Sequence, residues 1–340
     1  MEPGISELTD PLWAKLDGGF DEDVPAMLGE LAASWDDDTA DMLFHGVLWH
    51  QHSCYGATYA AVPHLLEIAD REENQHQRLE IALFLALVAL DSRGQLPDDP
   101  PADALLQGLP ETIEGWDSKL DCYRHGLARL AENPDQPHSE NELKQLAYYK
   151  EVLATPPVDA DDLTKILSIK AGFYQALPAI RALCERLLLE DPDEDAVPYL
   201  LSGVAAVDGL LSLARHLNCG DSGTFQCGSC GWGYEFVRYG EQIALYADNA
   251  PGTPRVDKAV EDYKDGAPLR ADGFLAPITE SEHLDARISA LLSLAKRAPS
   301  PVPALLVRHF AGSFVCCKCV VQGPMATVES GRPGPIPTAP

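Results

Sequence analysis

Two Cys-x-x-Cys pairs, Cys227–Cys230 and Cys316–Cys319, are the strongest constraint on how this chain can fold. This spacing lets two thiolates bind one tetrahedral zinc ion, and two such pairs complete a four-thiolate structural site. Four protein ligands leave no coordination position for a substrate, so the metal would stabilise structure without taking part in a reaction. The sequence therefore predicts one zinc ion bound by Cys227, Cys230, Cys316 and Cys319.

The residues around the two pairs are typical of a split zinc ribbon, a small β subdomain whose halves are separated in sequence. Gly231 follows the first pair, where a left-handed backbone directs N–H groups at sulfur, whereas Val320 follows the second pair. The 85 residues between the pairs exceed the usual ribbon spacing, but zinc binding can close so long a loop. Two alternatives stay open. Cys219, or in the same way Cys317, could replace one of the four ligands, or the site could be a degenerate zinc ribbon that binds no metal.

The charge of the chain limits its partners. It has 25 Lys and Arg residues against 53 Asp and Glu residues, a formal net charge of −28. Nucleic acid and anionic membrane surfaces repel such a chain, because phosphate binding needs clustered Lys and Arg. A basic protein would instead be attracted. We therefore expect a protein partner, basic in character, rather than nucleic acid or a membrane.

Cysteine use and the N-terminal residues indicate a cytoplasmic protein. The nine cysteines are an odd number, and Cys54, Cys122 and Cys184 lie singly within helical patterns. This distribution favours buried thiols and a metal cluster over a disulfide framework. The first residues contain no basic or apolar segment and do not resemble a signal peptide. The longest apolar run, residues 81–90, is about half as long as a membrane span.

A short Val-Pro or Leu-Pro motif recurs before apolar helical patterns. Proline is favoured at the first position of a helix, so each motif predicts a helix start. The motifs have their prolines at positions 25, 63, 178, 198 and 303. The first two prolines are 38 residues apart, and the next distance, 115 residues, is close to three times that value. The last two distances between consecutive prolines do not fit this period. A period of about 40 residues is that of HEAT and armadillo arrays, although the motif also suits ordinary helix starts.

Helical periodicity covers most of the remaining sequence. Apolar residues recur at i, i+3 and i+4 in segments 79–90, 111–133, 140–155, 161–189 and 194–217. Segment 79–90 is apolar on nearly all sides, so we expect a central helix whose core residues include Leu83, Leu87 and Leu90. β character is concentrated in 224–247, with a hairpin turn at Tyr239–Gln242.

The stretch from Leu48 to Leu66, LWHQHSCYGATYAAVPHLL, resembles a group of bacterial HEAT-like proteins of largely unassigned function. In that group a Leu-x-His-Gln segment leads into a helix of small residues and then a Val-Pro helix start. The group often has Gly-Thr after His-Gln, where this chain has His52 and Ser53. The resemblance implies an α-solenoid of antiparallel helix pairs, a form usually used to hold other macromolecules.

The predicted fold class is therefore all-α: a HEAT/armadillo-like α-solenoid with a small β zinc-ribbon subdomain. A helical array occupies 1–218, the first half of the ribbon 219–248, and further helices 249–311. The second half of the ribbon occupies 312–329, and a Pro- and Gly-rich disordered tail occupies 330–340.

The sequence does not predict an enzyme. Residues 220–223, Gly-Asp-Ser-Gly, resemble the nucleophile motif of chymotrypsin-like proteases, but they are expected to form a turn in a helical chain. His45, His50, His52 and Cys54 form a cluster that would suit a metal site, but it lacks a carboxylate and regular ligand spacing. No phosphate loop, dinucleotide fingerprint or His-Glu-x-x-His motif occurs.

The sequence thus predicts a non-catalytic acidic protein-binding module, most concretely an immunity-type protein that neutralises a basic toxin domain. The acidic loop Asp36, Asp37 and Asp38 is the candidate partner-binding site, and its alternative role is to cap the next helix. Other candidate functions are a nucleic-acid-associated zinc-ribbon factor and a hydrolase or modifying enzyme with a site near His45, His50 and His52.

Overall fold

The computed structural model describes residues 7–18, 23–94, 96–131, 139–218, 224–239, 242–246, 275–279, 284–316 and 319–327. The described chain is mostly helical, which confirms the all-α class in its general form. It divides into two units, Met1–Leu96 with Pro101–Ile180, and Pro97–Pro100 with Arg181–Pro340. This division lies at 180/181, whereas the first predicted domain extended to residue 218. The predicted tail, 330–340, lies outside the described residues.

Among the helices from the N-terminus to residue 189, the last four follow the predicted segments closely. The helices of this region are a 3₁₀ turn at Pro11–Lys15, α1 Val24–Ala33, α2 Asp37–Asp41, α3 Gly56–Arg71, α4 Gln75–Asp91, α5 Ile113–Ala131, α6 Glu140–Ala154 and α7 Ala160–Leu189. A π-helical turn, Met42–Leu48, follows α2 directly. Polar side chains begin several helices, because an N-cap oxygen accepts a backbone N–H that the helix leaves unpaired. The Ser139 hydroxyl, for example, accepts the N–H of Glu142 at the start of α6.

Helix α4 supplies much of the core of the first unit. Leu90 is buried, as expected, but Leu83 and Leu87 are only half-buried, so the prediction was wrong for these two. They are four residues apart and share one side of the helix, and a helix that is apolar all round does not reveal which side packs less tightly. The buried side carries Phe84, whose ring stacks on Phe44 with centroids 4.7 Å apart. None of the described helices combines the length and apolar character that crossing a membrane requires.

A two-stranded hairpin that the sequence analysis missed precedes α3. Its strands are β1 Trp49–His50 and β2 Ser53–Cys54, and they pair in antiparallel register. The two turn residues, Gln51 and His52, both have positive φ values, 49° and 62°. Such values are required by a tight two-residue hairpin turn, which usually contains Asn or Gly.

The backbone at Gly108 packs directly against the end of this hairpin. Gly108 has a φ of +74°, and a Cβ placed there would lie 2.2 Å from the carbonyl oxygen of Cys54. The neighbouring Gln107 accepts the Tyr59 hydroxyl through its carbonyl at 2.6 Å and donates its N–H to the Ser92 carbonyl at 2.7 Å. Glycine at position 108 therefore lets the loop after α4 approach the start of α3.

In its described residues, the second unit contains four helices that follow α7, and a sheet. The helices are α8 Val197–Val207, α9 Leu211–Asn218, α10 Ala286–Ala295 and α11 Val302–Phe310. The predicted single helix at 194–217 is thus two helices, because the chain turns at Gly209 with a φ of +79°. The carbonyl of Gly209 accepts the Asp99 N–H at 3.0 Å, and the guanidinium of Arg181 pairs with the carboxylate of Asp208.

The Val-Pro motifs predicted helix starts correctly at three of the five sites. Pro25, Pro198 and Pro303 lie in the first turn of α1, α8 and α11. Pro63 and Pro178 lie inside α3 and α7, so the prediction was wrong there. Both helices begin earlier, and an interior proline costs one backbone hydrogen bond that the surrounding packing has to offset.

As far as the structure describes it, the sheet of the second unit has six antiparallel strands. They are β3 Thr224–Cys227, β4 Gly233–Tyr239, β5 Gln242–Tyr246, β6 Leu275–Pro277, β7 Ser313–Val315 and β8 Gln322–Thr327. Their order is β6-β5-β4-β3-β8-β7, and Thr279 and Ser313 exchange two backbone hydrogen bonds that connect the two ends of this order. Tyr239 pairs with Gln242, as the predicted hairpin requires. Strand β6 lies in 249–311, a segment assigned to helices from the sequence; residues 249–274 lie outside the described part.

We expect Gly108→Ala to destabilise the protein by about 3 kcal/mol, because it adds a side chain to a left-handed backbone and overlaps a carbonyl oxygen. Gly94→Ala is the matched control: its φ is +53°, but no atom lies within 4 Å of the added Cβ. It should cost only about 1 kcal/mol, from the backbone alone. Thermal unfolding of the two variants measures the difference, and equal losses would show that the close approach is unimportant.

Candidate metal centre

The four predicted ligands lie at the ends of neighbouring strands. Cys227 ends β3 and Cys230 lies in the turn that leads to β4, while Cys316 follows β7 and Cys319 precedes β8. Strand β3 pairs with β8, with Cys227 opposite Met325. The pairing of these two strands places the β3–β4 turn beside the β7–β8 turn. Residues 89 positions apart, Cys227 and Cys316, thus belong to one site.

The sulfur positions fit a tetrahedral zinc ion. All four Sγ atoms lie within 4.8 Å of one another. The Cys227–Cys319 and Cys230–Cys316 sulfurs are 3.7 and 3.6 Å apart. Zinc–sulfur bonds of about 2.3 Å in a tetrahedron place sulfurs about 3.8 Å apart, close to these values. The donor set therefore matches a closed four-thiolate centre. Cys219 and Cys317, the alternative ligands, lie outside the described residues.

The two Cys-x-x-Cys turns have the same backbone hydrogen bonds. The N–H of Cys227 donates to the Trp232 carbonyl at 2.9 Å, and the N–H of Cys316 donates to the Val321 carbonyl at 3.1 Å. The residue after each second cysteine donates back to the first, Gly231 to Cys227 at 2.8 Å and Val320 to Cys316 at 2.9 Å. This repeated pattern identifies both turns as knuckles that direct thiols to a common point.

The surroundings of the four cysteines favour the protonated thiols over thiolates unless a cation is bound. Cys227 and Cys316 are buried, and Cys230 and Cys319 are half-buried. Burial raises the pKa of Cys230 to about 12, with the neighbouring thiols contributing in the same direction. Thiolates are the species that bind zinc, so four of them in this space require a divalent cation to hold them deprotonated.

An aromatic residue that follows the first pair, Tyr234, contacts the centre. The Tyr234 hydroxyl lies 3.0 Å from the sulfur of Cys316, and its ring packs edge to face against Phe314. Tyr234 is buried and Trp232 is half-buried. A hydroxyl that donates to a thiolate ligand supports its charge, and the sequence pattern did not single out Tyr234 for this contact. The side chain of Phe236 lies outside the described part.

The acidic loop acts in part as a helix cap. The carboxylate of Asp36 accepts the N–H of Thr39 at 2.8 Å, and Asp37 accepts the indole N–H of Trp35 at 2.7 Å. The Thr39 side chain and backbone lower the pKa of Asp36. Asp38 is exposed in the first turn of α2. Of the three predicted partner-binding residues, Asp38 is therefore the one that a test can change without removing these contacts.

The histidine cluster is organised around a residue that the sequence analysis did not single out, Asp91. Its carboxylate accepts the indole N–H of Trp49 at 2.8 Å and lies 3.4 Å from Nδ1 of His52. The hydrogen bond to Asp91 raises the pKa of His52. The rings of His45 and His52 pack edge to face on Trp49. No spacing in the sequence connects Asp91 with these residues, since they lie on different elements.

This cluster lacks the ligand set of a metal site and a reactive thiol. Within the described residues, the only group of three or more His, Cys, Asp or Glu side chains placed to bind a metal is the four-cysteine centre. Burial raises the pKa of the Cys54 thiol far above its usual range, which keeps it protonated and unreactive. Cys184 is also buried, whereas Cys122 is exposed, contrary to expectation.

Comparisons with known proteins do not assign the chain to a family. No protein-family model matches the sequence, and neither curated proteins nor solved structures give a significant match. The resemblance of residues 48–66 to HEAT-like proteins therefore stays a prediction.

We expect the purified protein to contain one zinc ion per chain, because four converging thiols suit that metal. Cys227→Ser and Cys319→Ser should each release most of the zinc and lower the thermal stability of the sheet. Cys122→Ser is the matched control and should leave metal content unchanged, since Cys122 lies on α5. Elemental analysis measures the zinc content of each protein, and titration of the native protein measures how many thiols are free. A zinc content near zero with all four thiols titratable would contradict the assignment.

Val320→Gly should stabilise the protein by about 1 kcal/mol, contrary to most substitutions, because Val320 has a φ of +59° and is three-quarters exposed. The relief of backbone strain outweighs the small loss of packing. Gly231→Ala, at the equivalent place in the first knuckle with a φ of +67°, should cost about 1 kcal/mol. Thermal unfolding of the zinc-loaded variants measures both, and a destabilised Val320→Gly protein would show that the side chain has a packing role.

Proposed function

We propose that this chain is a non-catalytic, zinc-stabilised helical protein of the cytoplasm that binds a basic protein partner. The observation that carries the proposal is the four-thiol centre, whose protein ligands would fill all positions of a zinc ion. A metal bound in this way supports a fold and cannot activate a substrate. The role that we propose for the chain is recognition of a partner. Zinc would stabilise part of the second unit, which would form a split zinc ribbon.

The packing of the helices supports an array of helix pairs. Consecutive helices contact each other in both units: α3 with α4, α5 with α6, α8 with α9, and α10 with α11. Helix pairs of this kind are the building unit of HEAT-like solenoids. Interior prolines at two of the five Val-Pro motifs make the repeat less regular than the sequence period implied. We keep the HEAT-like α-solenoid as the proposed architecture.

The charge balance supports a basic partner. Even if every Lys and Arg formed an ion pair, 28 carboxylates would remain, since the chain has 53 acidic and 25 basic residues. The described lysines of the first unit that are enclosed by other residues already have carboxylate partners: Lys15 with Asp162, Lys119 with Asp17, and Lys170 with Glu111. The remaining excess of negative charge attracts a cationic protein over long distances. The most concrete form of this role is an immunity-type protein that neutralises a basic toxin domain.

Affinity purification from the native cell with mass spectrometry identifies the partner, and binding kinetics then test the electrostatic mechanism. The association rate should fall about tenfold or more between low and physiological salt, because ions screen the attraction. At low salt, the Asp38→Lys variant should associate more slowly than the unsubstituted chain. Glu73→Lys is the matched control, an exposed carboxylate between α3 and α4, and should have a smaller effect.

Three results would contradict the proposal. A partner whose association is indifferent to salt and to these charge reversals would show that electrostatic attraction is not the mechanism. Recovery of nucleic acid as the main ligand would instead favour a nucleic-acid-associated zinc-ribbon factor. Turnover of a substrate by the purified chain, lost in a His52→Ala variant, would favour an enzyme at the histidine cluster.

A further inference from the structure

A cavity with aromatic walls lies within the first unit, whereas the four-cysteine centre belongs to the second unit. Its volume is about 230 Å³, and it lies between the 3₁₀ turn, α5 and α6. Trp116 and Tyr123 face it from α5, Tyr148 faces it from α6, and Trp13 faces it from the 3₁₀ turn. Trp116 and Tyr123 are seven residues apart, two turns of one helix, so they present one continuous aromatic strip.

The polar groups of the two tryptophans are already in use. The indole N–H of Trp13 donates to the Glu7 carbonyl at 3.0 Å, and that of Trp116 donates to the Pro110 carbonyl at 2.9 Å. These residues therefore offer a ligand only ring atoms, and only the small exposed part of each ring, 7% for Trp13 and 5% for Trp116. The face of an aromatic ring carries partial negative charge and attracts cations. The cavity already shows this preference, since the Lys119 ammonium lies 5.1 Å from the centre of the Trp116 ring.

The two ammonium groups of the cavity have carboxylate partners. Lys119 pairs with Asp17 and donates to the Gly108 carbonyl at 3.0 Å, and Lys15 pairs with Asp162. These four side chains are mostly enclosed, between 10% and 20% exposed. An anionic ligand would have to break an existing pair to reach a donor. The cavity is therefore poorly suited to anions.

One lining carboxylate remains without such a partner. Glu151 lies at the exposed end of α6, and in the described part of the chain it forms no ion pair. Aromatic faces, a free carboxylate and a strongly acidic chain together favour a cationic ligand. Among cations, a guanidinium is planar, stacks on aromatic rings and forms two parallel hydrogen bonds with one carboxylate.

The size of the cavity indicates a side chain rather than a whole metabolite. Pockets for drug-sized ligands are roughly 300–1,000 Å³, whereas an apolar cavity of about 150 Å³ holds a benzene molecule. At about 230 Å³, this cavity falls between the two. A guanidinium with its aliphatic stem is of that size.

We propose that this aromatic cavity binds an arginine side chain of the basic partner, with the guanidinium against the aromatic side chains of the lining and paired with Glu151. The proposal rests on the proposed function for the identity of the partner. It assigns the recognition to a defined pocket, whereas the acidic surface contributes attraction from a distance.

The test uses the full zinc-loaded chain and a small probe, Nα-acetyl-arginine amide. Its neutral isostere, Nα-acetyl-citrulline amide, is the matched probe without charge. The chain has five tryptophans, so ¹H–¹⁵N spectra contain five indole signals, assigned with one Trp→Phe variant for each. Saturable shifts are expected for Trp13 and Trp116 alone, with a Kd on the order of 1 mM, and the citrulline probe should bind at least about tenfold more weakly.

A pair of variants tests the carboxylate. Glu151→Gln keeps the shape of the side chain and should weaken binding of the arginine probe about fivefold, because a charge-assisted hydrogen bond is lost. Glu30→Gln, an exposed glutamate on α1, should leave the binding constant unchanged. Unchanged spectra of both variants without the probe would show that each still folds.

Four results would overturn the inference: equal binding of the citrulline probe, no saturable shift, shifts of all five indoles, or no effect of Glu151→Gln. The last two would indicate non-specific attraction to an acidic surface. These failures are separate from failure of the proposed function, because the probe needs no partner. A basic partner with salt-dependent association that is insensitive to Glu151→Gln would support the function and reject the pocket.

Discussion

The convergence of four sulfurs on one point dominates the second unit. Two turns separated by 85 residues must meet within 4.8 Å, and the pairing of β3 with β8 places them there. Closing a loop of that length costs about 4 kcal/mol of chain entropy, beyond a constant term. Zinc binding by four thiolates supplies about 10–16 kcal/mol in small zinc domains, which exceeds that cost. A zinc ion bound by the four cysteines would therefore supply enough free energy for such distant segments to form one sheet.

The same centre explains a strained residue. Both knuckles need a left-handed residue after the second cysteine, because only that backbone turns the following N–H groups towards sulfur. Gly231 meets the need without strain, whereas Val320 meets it with a β-branched side chain. The two turns share the same backbone hydrogen bonds, so the geometry of the turn, rather than the local preference of the residue, accounts for the backbone at Val320.

Scarcity of positive charge shapes the first unit. The few lysines near its cavity are bound to carboxylates, and Asp17 also accepts the backbone N–H of Gly56 at the start of α3. A cation entering this unit meets aromatic faces and excess carboxylate. Long-range attraction by the acidic surface and short-range selection by the cavity would then act in sequence on one partner. The two contributions differ physically, because salt screens the long-range attraction strongly and screens contacts inside the cavity much less.

Local chemistry in the sequence was enough to determine the helical class, the bounds of strongly periodic helices such as α6, and the four candidate ligands, because each depends on residues close in the chain. Spacing alone could not show that Pro63 and Pro178 lie inside helices, since helix packing can offset a missing hydrogen bond. Nor could it connect Asp91 with His52, or Lys119 with Asp17. These pairs, the cavity and the meeting of the two knuckles join residues far apart in sequence. Only the tertiary structure decides them, because the free energy of such contacts depends on burial and distance that no local pattern records.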